Sequence, residues 1–434
     1  MALRTPAWLS SVLARNAQTA YLRRYGSPES LQDFRDQVPV VDYDDLRPWL
    51  ERIESGESDV LFAGRPVAFE RTAGSTGAAK VIPYSADGLR DFQCSILPWL
   101  TRVIDTYGIT GRAYFSISPA TRAPEFIRDV PLGLPDGAYL GETGAALLAR
   151  LTAVPFDVAS ITDVALWRKA TLSHLTAARD LELISVWSPT FLLRLLDEID
   201  DPQTLWPRLK LVSCWASAAS KPFADELAAR LPHARLQPKG LLSTETVVTV
   251  PDADDRPQLT QYGFFEFERD RRVYLENELT VGGVYEVIAT TASGLYRYRT
   301  GDLVRYEGQS VFHFTGRGSL VSDLAGEKLT EPFVASCLQS VPGFRMLVPD
   351  GNGYVLVADD STSVDVDEIE HQLCNNPQYA YARRLGQLTT LRLMPVHRLF
   401  DRYAQAHMDD GARLGDIKPA ALRNERTWLA RLGS

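Results

Sequence analysis

Residues 72–80 read Thr72-Ala73-Gly74-Ser75-Thr76-Gly77-Ala78-Ala79-Lys80. The apolar stretch VAFERTA precedes them with strand character. LRDFQCSILPWLTRVIDTYG follows, with apolar residues at helical spacing. A glycine-rich turn between a strand and a helix lets the backbone approach an anion closely. Hydroxyls and a lysine supply donors and a point charge. The spacing G-x-x-G-x-x-K differs from the G-x-x-x-x-G-K-[ST] phosphate loop. By itself such a stretch is an ordinary turn, and its chemical meaning depends on what else the chain carries.

Outward from this loop the same alternation continues. RAYFSIS, LELISVWS and LKLVSCWA read as strands, with helices TFLLRLLDEI and PFADELAARLP between and after them. This rhythm predicts a mainly parallel sheet covered on both faces. Residues 1–50 before it read as largely helical. From about residue 260 the rhythm changes to short strands separated by turn residues: FFEFE, RVYLENEL, GVYEVIATT, LYRYR, DLVRYEG and VFHFTG. They predict a curled antiparallel sheet. After Gly316-Arg317-Gly318 the composition resets to a small α+β pattern. The expectation is an α/β fold with a large N-terminal domain over residues 1–317 and a smaller, mobile α+β domain over 318–434.

Four further segments join the loop. Gly240-Leu241-Leu242-Ser243-Thr244-Glu245 sets a carboxylate beside hydroxyls at the mouth of the sheet, a donor set that suits Mg²⁺. Arg299-Thr300-Gly301-Asp302 places an acceptor after a glycine at an expected strand end, where it can bind a pair of hydroxyls or simply close a hairpin. Gly316-Arg317-Gly318, with Gly326-Glu327-Lys328-Leu329-Thr330-Glu331, marks the junction. Gly415-Asp416-Ile417-Lys418-Pro419 lies near the C-terminus.

Composition narrows the rest. The 434 residues carry a net charge of −9, which argues against a nucleic-acid partner. The four cysteines are scattered, with no C-x-x-C pair, as expected of reduced thiols in a cytoplasmic protein. No stretch approaches the roughly 20 apolar residues of a membrane span. The six histidines form no H-E-x-x-H pattern and no G-x-S-x-G elbow occurs, which removes the common hydrolase signatures.

The five segments, in this order, resemble the adenylate-forming superfamily. Phe34-Arg35, Val38-Pro39-Val40, Arg52-Ile53, Ile82-Pro83-Tyr84, Phe264-Phe265-Glu266-Phe267 and Gly294-Leu295-Tyr296-Arg297-Tyr298-Arg299 are similar to the Gretchen Hagen family of acyl acid amido synthetases, known from auxin conjugation in plants. Ala73 departs from that family, which commonly has Ser or Thr there.

The resemblance implies ATP and Mg²⁺ as cofactors, and a carboxylic acid and an amine or amino acid as partners. It implies an acyl-adenylate and then an amide. It assigns Ser75, Thr76, Gly77 and Lys80 to the phosphates and Thr244 to the α-phosphate. Glu245 goes to the metal, Asp302 to the ribose and Arg317 to the domain junction. Lys328 and Lys418 become catalytic lysines from the smaller domain. An acyl-CoA or carrier-protein thioester ligase shares the first step, and an inactive homologue shares the fold. Trp187 and Trp215 suit the lining of an acyl pocket for a flat or aromatic acid, and equally suit core packing.

Overall fold

Four helices open the chain in the computed structural model, which describes residues 6–72, 80–115, 125–134, 138–318 and 320–433. They span Ala7–Asn16, Ala20–Arg24, Leu31–Gln37 and Tyr43–Glu54. The last starts sharply because Asp42 accepts from the Asp44 and Asp45 backbone N–H groups, while Asp45 accepts from the Asp42 N–H. Just before this cap, Val41 donates its N–H to Arg297 O (3.0 Å) and accepts from Arg299 N–H (2.8 Å). The N-terminal segment thereby grips the start of a strand more than 250 residues away.

The parallel sheet is present, with strands Arg112–Phe115, Leu181–Ser185, Leu211–Cys214 and Arg235–Pro238 adjacent in that order. The two central strands are buried along their whole length, which fits their nearly continuous apolar sequences. Leu183 and Leu211 meet Ile96, Trp99 and Val103 of helix Ala86–Thr106 on one face. Ile184 and Val212 join Trp167, Phe191 and Leu227 on the other. VAFERTA contributes its strand, Ala68–Arg71, to a separate four-stranded sheet, where it pairs antiparallel with Val81–Tyr84.

The antiparallel sheet has seven strands. Its centre is Val284–Thr290, Tyr298–Gly308 and Val311–Arg317. Two expectations change here. LYRYR and DLVRYEG are not two strands but a turn feeding one strand of 11 residues. Asp302 therefore lies inside a strand and not at its end. Gly301 takes φ +78° and the register with Val284–Thr290 shifts across it, so a bulge supplies the irregularity that reads as a turn in sequence.

Glu266 sits fully buried in the apolar strand Phe264–Arg269. Both its oxygens accept from Arg297 (2.8 and 3.0 Å), and Arg35 adds a third contact at 3.0 Å. The Arg297 guanidinium also donates to the carbonyls of Arg35 and Val38. The charged residues of these motifs thus clamp the helical layer to the sheet.

In the C-terminal part, Arg345–Asp350 pairs antiparallel with Gly353–Asp359, which pairs parallel with Arg392–Val396. One hydrophobic cluster crosses the expected boundary at 317/318. Phe344, Met346, Phe400 and Tyr403 bury against Phe191, Phe223 and Leu227. Among the described residues no helix is long and apolar enough to cross a membrane.

Candidate active site

The site forms where the bulged strand, the end of the parallel sheet and the C-terminal segment meet. Asp302 is 3% exposed and is the register partner of Arg317 on the neighbouring strand. The Arg317 Nε donates to Asp302 Oδ1 at 3.3 Å. Burial raises the Asp302 carboxyl above the usual range. Arg317 and Lys418 pull it back, and Glu245 adds to the rise. Burial also works against the charge of Arg317, but Asp302, Glu245 and Glu331 more than offset it.

Glu245 rides on a tight turn closed by the bridge Leu242–Val247 and by Ser243 N–H to Thr246 O at 3.0 Å. Gly240 permits this turn: at φ +84° a Cβ there would stand 2.5 Å from Thr249 O. Tyr84 Oη donates to Thr244 O at 2.6 Å, fixing the turn against the neighbouring sheet. The Glu245 carboxylate is half-buried and makes no hydrogen bond or ion pair among the described residues. It remains an available oxygen ligand.

Lys418 enters from the C-terminal segment. Its Nζ lies 4.7 Å from the centre of the Trp215 ring, and its carbonyl accepts from Tyr403 Oη at 2.8 Å. Burial, reinforced by Arg317, pushes its pKa down to about 8, against the pull of Asp302, Glu245 and Asp416. Glu331 fastens this segment to the sheet, accepting from the backbone N–H of Arg317 (3.3 Å) and of Ala421 (3.4 Å).

Lys80 closes the stretch 72–80. Its Nζ donates to Tyr298 Oη at 3.1 Å and stands 5.3 Å from the Tyr43 ring centre. Ser75, Thr76 and Gly77 lie outside the described residues. Trp187 and Trp215 neighbour each other, with ring centres 6.2 Å apart.

Glu245, Asp302, Arg317 and Lys418 therefore converge, with Lys80 linked to them through Tyr298, whose hydroxyl feels both Glu245 and Asp302. Lys328 does not join them. Its side chain is exposed and its φ is +45°. The buried member of that motif is Glu327, which accepts from the Leu324 and Ala325 backbone and from Tyr354. Sequence reasoning missed Glu331 and Tyr298 as positioning groups. It also missed Lys239, which precedes the Gly240 turn.

Comparison with known proteins adds the family. The model described as the GH3 family N-terminal domain matches residues 5–202, and that of the GH3 family central domain matches residues 257–317. The chain belongs to the GH3 family.

Relatives of this GH3 protein include an indole-3-acetic acid-amido synthetase, GH3.15 of Arabidopsis thaliana, which is 37% identical over 103 residues. That match spans 22% of this chain and only 17% of the relative. A probable indole-3-acetic acid-amido synthetase, GH3.1 of the same plant, is 23% identical over 410 residues, covering 74% of this chain and 68% of its own. A solved GH3.15 acyl acid amido synthetase in complex with 2,4-DB superposes with TM-score 0.84 at 18% identity, over 99% of this chain and 92% of that one. A 2-hydroxyisobutyryl-CoA ligase in its postadenylation state gives TM-score 0.59 at 14% identity, over 99% and 92%. These two likenesses identify the adenylate-forming fold. They also agree with the α/β architecture expected from the strand rhythm.

Proposed function

We propose that this GH3 protein activates a carboxylic acid with ATP and passes the acyl group to an amine or amino acid. The observation that carries the reading is the convergence of Glu245, Asp302, Arg317 and Lys418. A carboxylate ion is a poor acyl donor because its leaving group would be oxide. Attack on the α-phosphorus expels pyrophosphate and installs AMP as the leaving group. Aminolysis of the adenylate then releases AMP. The protein's contribution is placement and charge stabilisation.

Asp302, held by Arg317, accepts from the ribose hydroxyls. Lys80, with Ser75, Thr76 and Gly77, receives the outer phosphates, and Thr244 lies beside the α-phosphate. Lys418 places its ammonium where negative charge gathers during attack. The available Glu245 carboxylate fits Mg²⁺, which takes few protein ligands and would neutralise phosphate charge when bound. Among the described residues no cluster of three or more His, Cys, Asp or Glu offers an all-protein metal cage. Lys328 receives no role in adenylation. The relatives named as amido synthetases support an amine acceptor, and a cytoplasmic location suits the four free cysteines.

The test is release of AMP and pyrophosphate from Mg-ATP with a panel of aromatic, fatty and amino acids. Each acid is offered alone, with amino acids, and with CoA. AMP release that requires both an acid and an amine, with the matching amide detected by mass, establishes the proposal. A requirement for CoA replaces it with thioester ligation.

A further inference from the structure

Lys239 follows the last parallel strand and is 4% exposed. Its Nζ donates to Ser185 Oγ at 2.6 Å and lies 4.8 Å from the Trp99 ring centre and 4.9 Å from that of Trp187. No carboxylate among the described residues pairs with it. Two aromatic faces stabilise a cation but accept no strong hydrogen bond, so one of three donors is satisfied. Ser185 and Ser213 are in-register neighbours and project from the same sheet face. The Ser213 hydroxyl is buried with no partner among the described residues. Buried polar groups of this kind are ordinarily paired, so the lysine and the serine together leave hydrogen-bonding capacity for something else.

Position says what that is. Trp187 touches Lys239 on one side and neighbours Trp215 on the other, and Trp215 carries Lys418. Both tryptophans are partly exposed. The two lysines thus contact different members of a tryptophan pair, Lys418 beside the Asp302–Glu245 cluster and Lys239 in the buried interior.

We infer that Lys239 is a specificity-determining residue for an acid that carries a second oxygen acceptor, a carboxylate or a hydroxyl, remote from the carboxyl group that is activated. This rests on the function proposed above. The remote oxygen accepts from Lys239 Nζ while the hydrocarbon or ring between the two ends lies along Trp187 and Trp215. Burial pushes the free lysine down to about 7, and an anionic partner restores its charge.

The test uses acids matched in length and ring, with and without the remote oxygen: dicarboxylates against monocarboxylates, and hydroxyaryl acids against their unsubstituted parents. Binding is read from tryptophan fluorescence, which needs no turnover, and acid-dependent ATP–pyrophosphate exchange is read in parallel. The wild type binds one oxygen-bearing acid at least about tenfold more tightly than its partner, and Lys239→Met removes that preference. Ser185→Ala, which keeps the lysine, retains it, and Lys239→Gln, which removes the charge, replaces the methionine variant and weakens the preference if that variant does not fold. A preference unchanged in Lys239→Met, equal binding of all pairs, or binding of none overturns the inference. Selective binding without exchange overturns the proposed activity and leaves the role of Lys239 standing.

Discussion

Asp302 and Arg317 face each other on adjacent antiparallel strands, and the Arg317 Nε donates to the Asp302 carboxylate at 3.3 Å. The arginine orients the acceptor assigned to the ribose and moderates the cost of burying its charge. Asp302→Ala removes both the acceptor and the partner of Arg317. Hydrogen bonds to charged groups contribute about 1.5–3 kcal/mol, so ATP affinity should fall roughly 10- to 100-fold. Calorimetric titration with ATP checks this, and unchanged affinity removes the ribose role.

Lys418 and Lys328 should separate in their effects. Lys418→Met is expected to lower acid-dependent pyrophosphate exchange by about 100-fold, since the proposed role sets the lost charge beside the reacting groups. Lys328→Ala, altering an exposed side chain, should leave exchange within about threefold. The free-enzyme pKa of Lys418 lies near 8, so kcat/KM for ATP should fall as pH rises through that value and the ammonium is lost. An exchange profile in Lys418→Met with the same alkaline limb would assign that limb to another group.

Glu266 and Arg297 form a buried pair on which the N-terminal layer hangs. Glu266→Ala leaves Arg297 without its carboxylate in a dry environment. Breaking such a pair costs about 3–5 kcal/mol, a large share of a domain's stability. Urea denaturation of the variant should show that loss. A change below about 1 kcal/mol would mean that the backbone carbonyls of Arg35 and Val38 suffice for Arg297.

His407 carries an acid-sensitive contribution. It is buried beside Arg423, and burial, then Arg423 and Arg431, pushes its pKa down to about 3. The unfolded chain takes up this proton near the ordinary histidine value of about 6.5, the folded chain only near 3. The stability it contributes is therefore complete above about 6.5 and is lost as pH falls toward 3, by at most ~1.4 kcal/mol per pH unit. His407→Gln, which cannot titrate, should flatten that slope. Parallel pH–stability curves for variant and wild type would refute the assignment.

Much of the site was legible because its chemistry sits in short segments of unusual composition. Glu245, Asp302 and Arg317 each stand directly beside glycines or hydroxyls and Lys418 follows Gly415 by three positions, settings that read singly as turns or surface and gain meaning only together. Their order along the chain carried the resemblance. The setting of Asp302 was not legible, since Gly-Asp signals a turn and only the paired strands reveal a bulge within continuous sheet. Nothing adjacent to Lys239 in the chain marks it as buried; it is covered in part by Trp99, some 140 positions away. The strand Arg392–Val396 was missed because it is short, mostly exposed at the sheet edge and carries Pro395, as edge strands can.

The expected looseness of the C-terminal part has a physical counterweight. Phe344 and Phe400 share a core with Phe223, and Arg194 pairs with Asp401 across the same interface at 2.9 Å. Any swing about Gly316-Arg317-Gly318 must separate these contacts. Nothing local in the sequence reports such long-range burial.

Transfer of a carboxyl oxygen to AMP tests the central claim most directly. The acid that supports AMP release is supplied with both carboxyl oxygens isotopically labelled, together with Mg-ATP and the amine. Attack on the α-phosphorus followed by aminolysis leaves one labelled oxygen in the phosphate of AMP and one in the amide. That labelled AMP is the expected product. Unlabelled AMP, or ADP and phosphate in its place, would contradict activation through an acyl-adenylate.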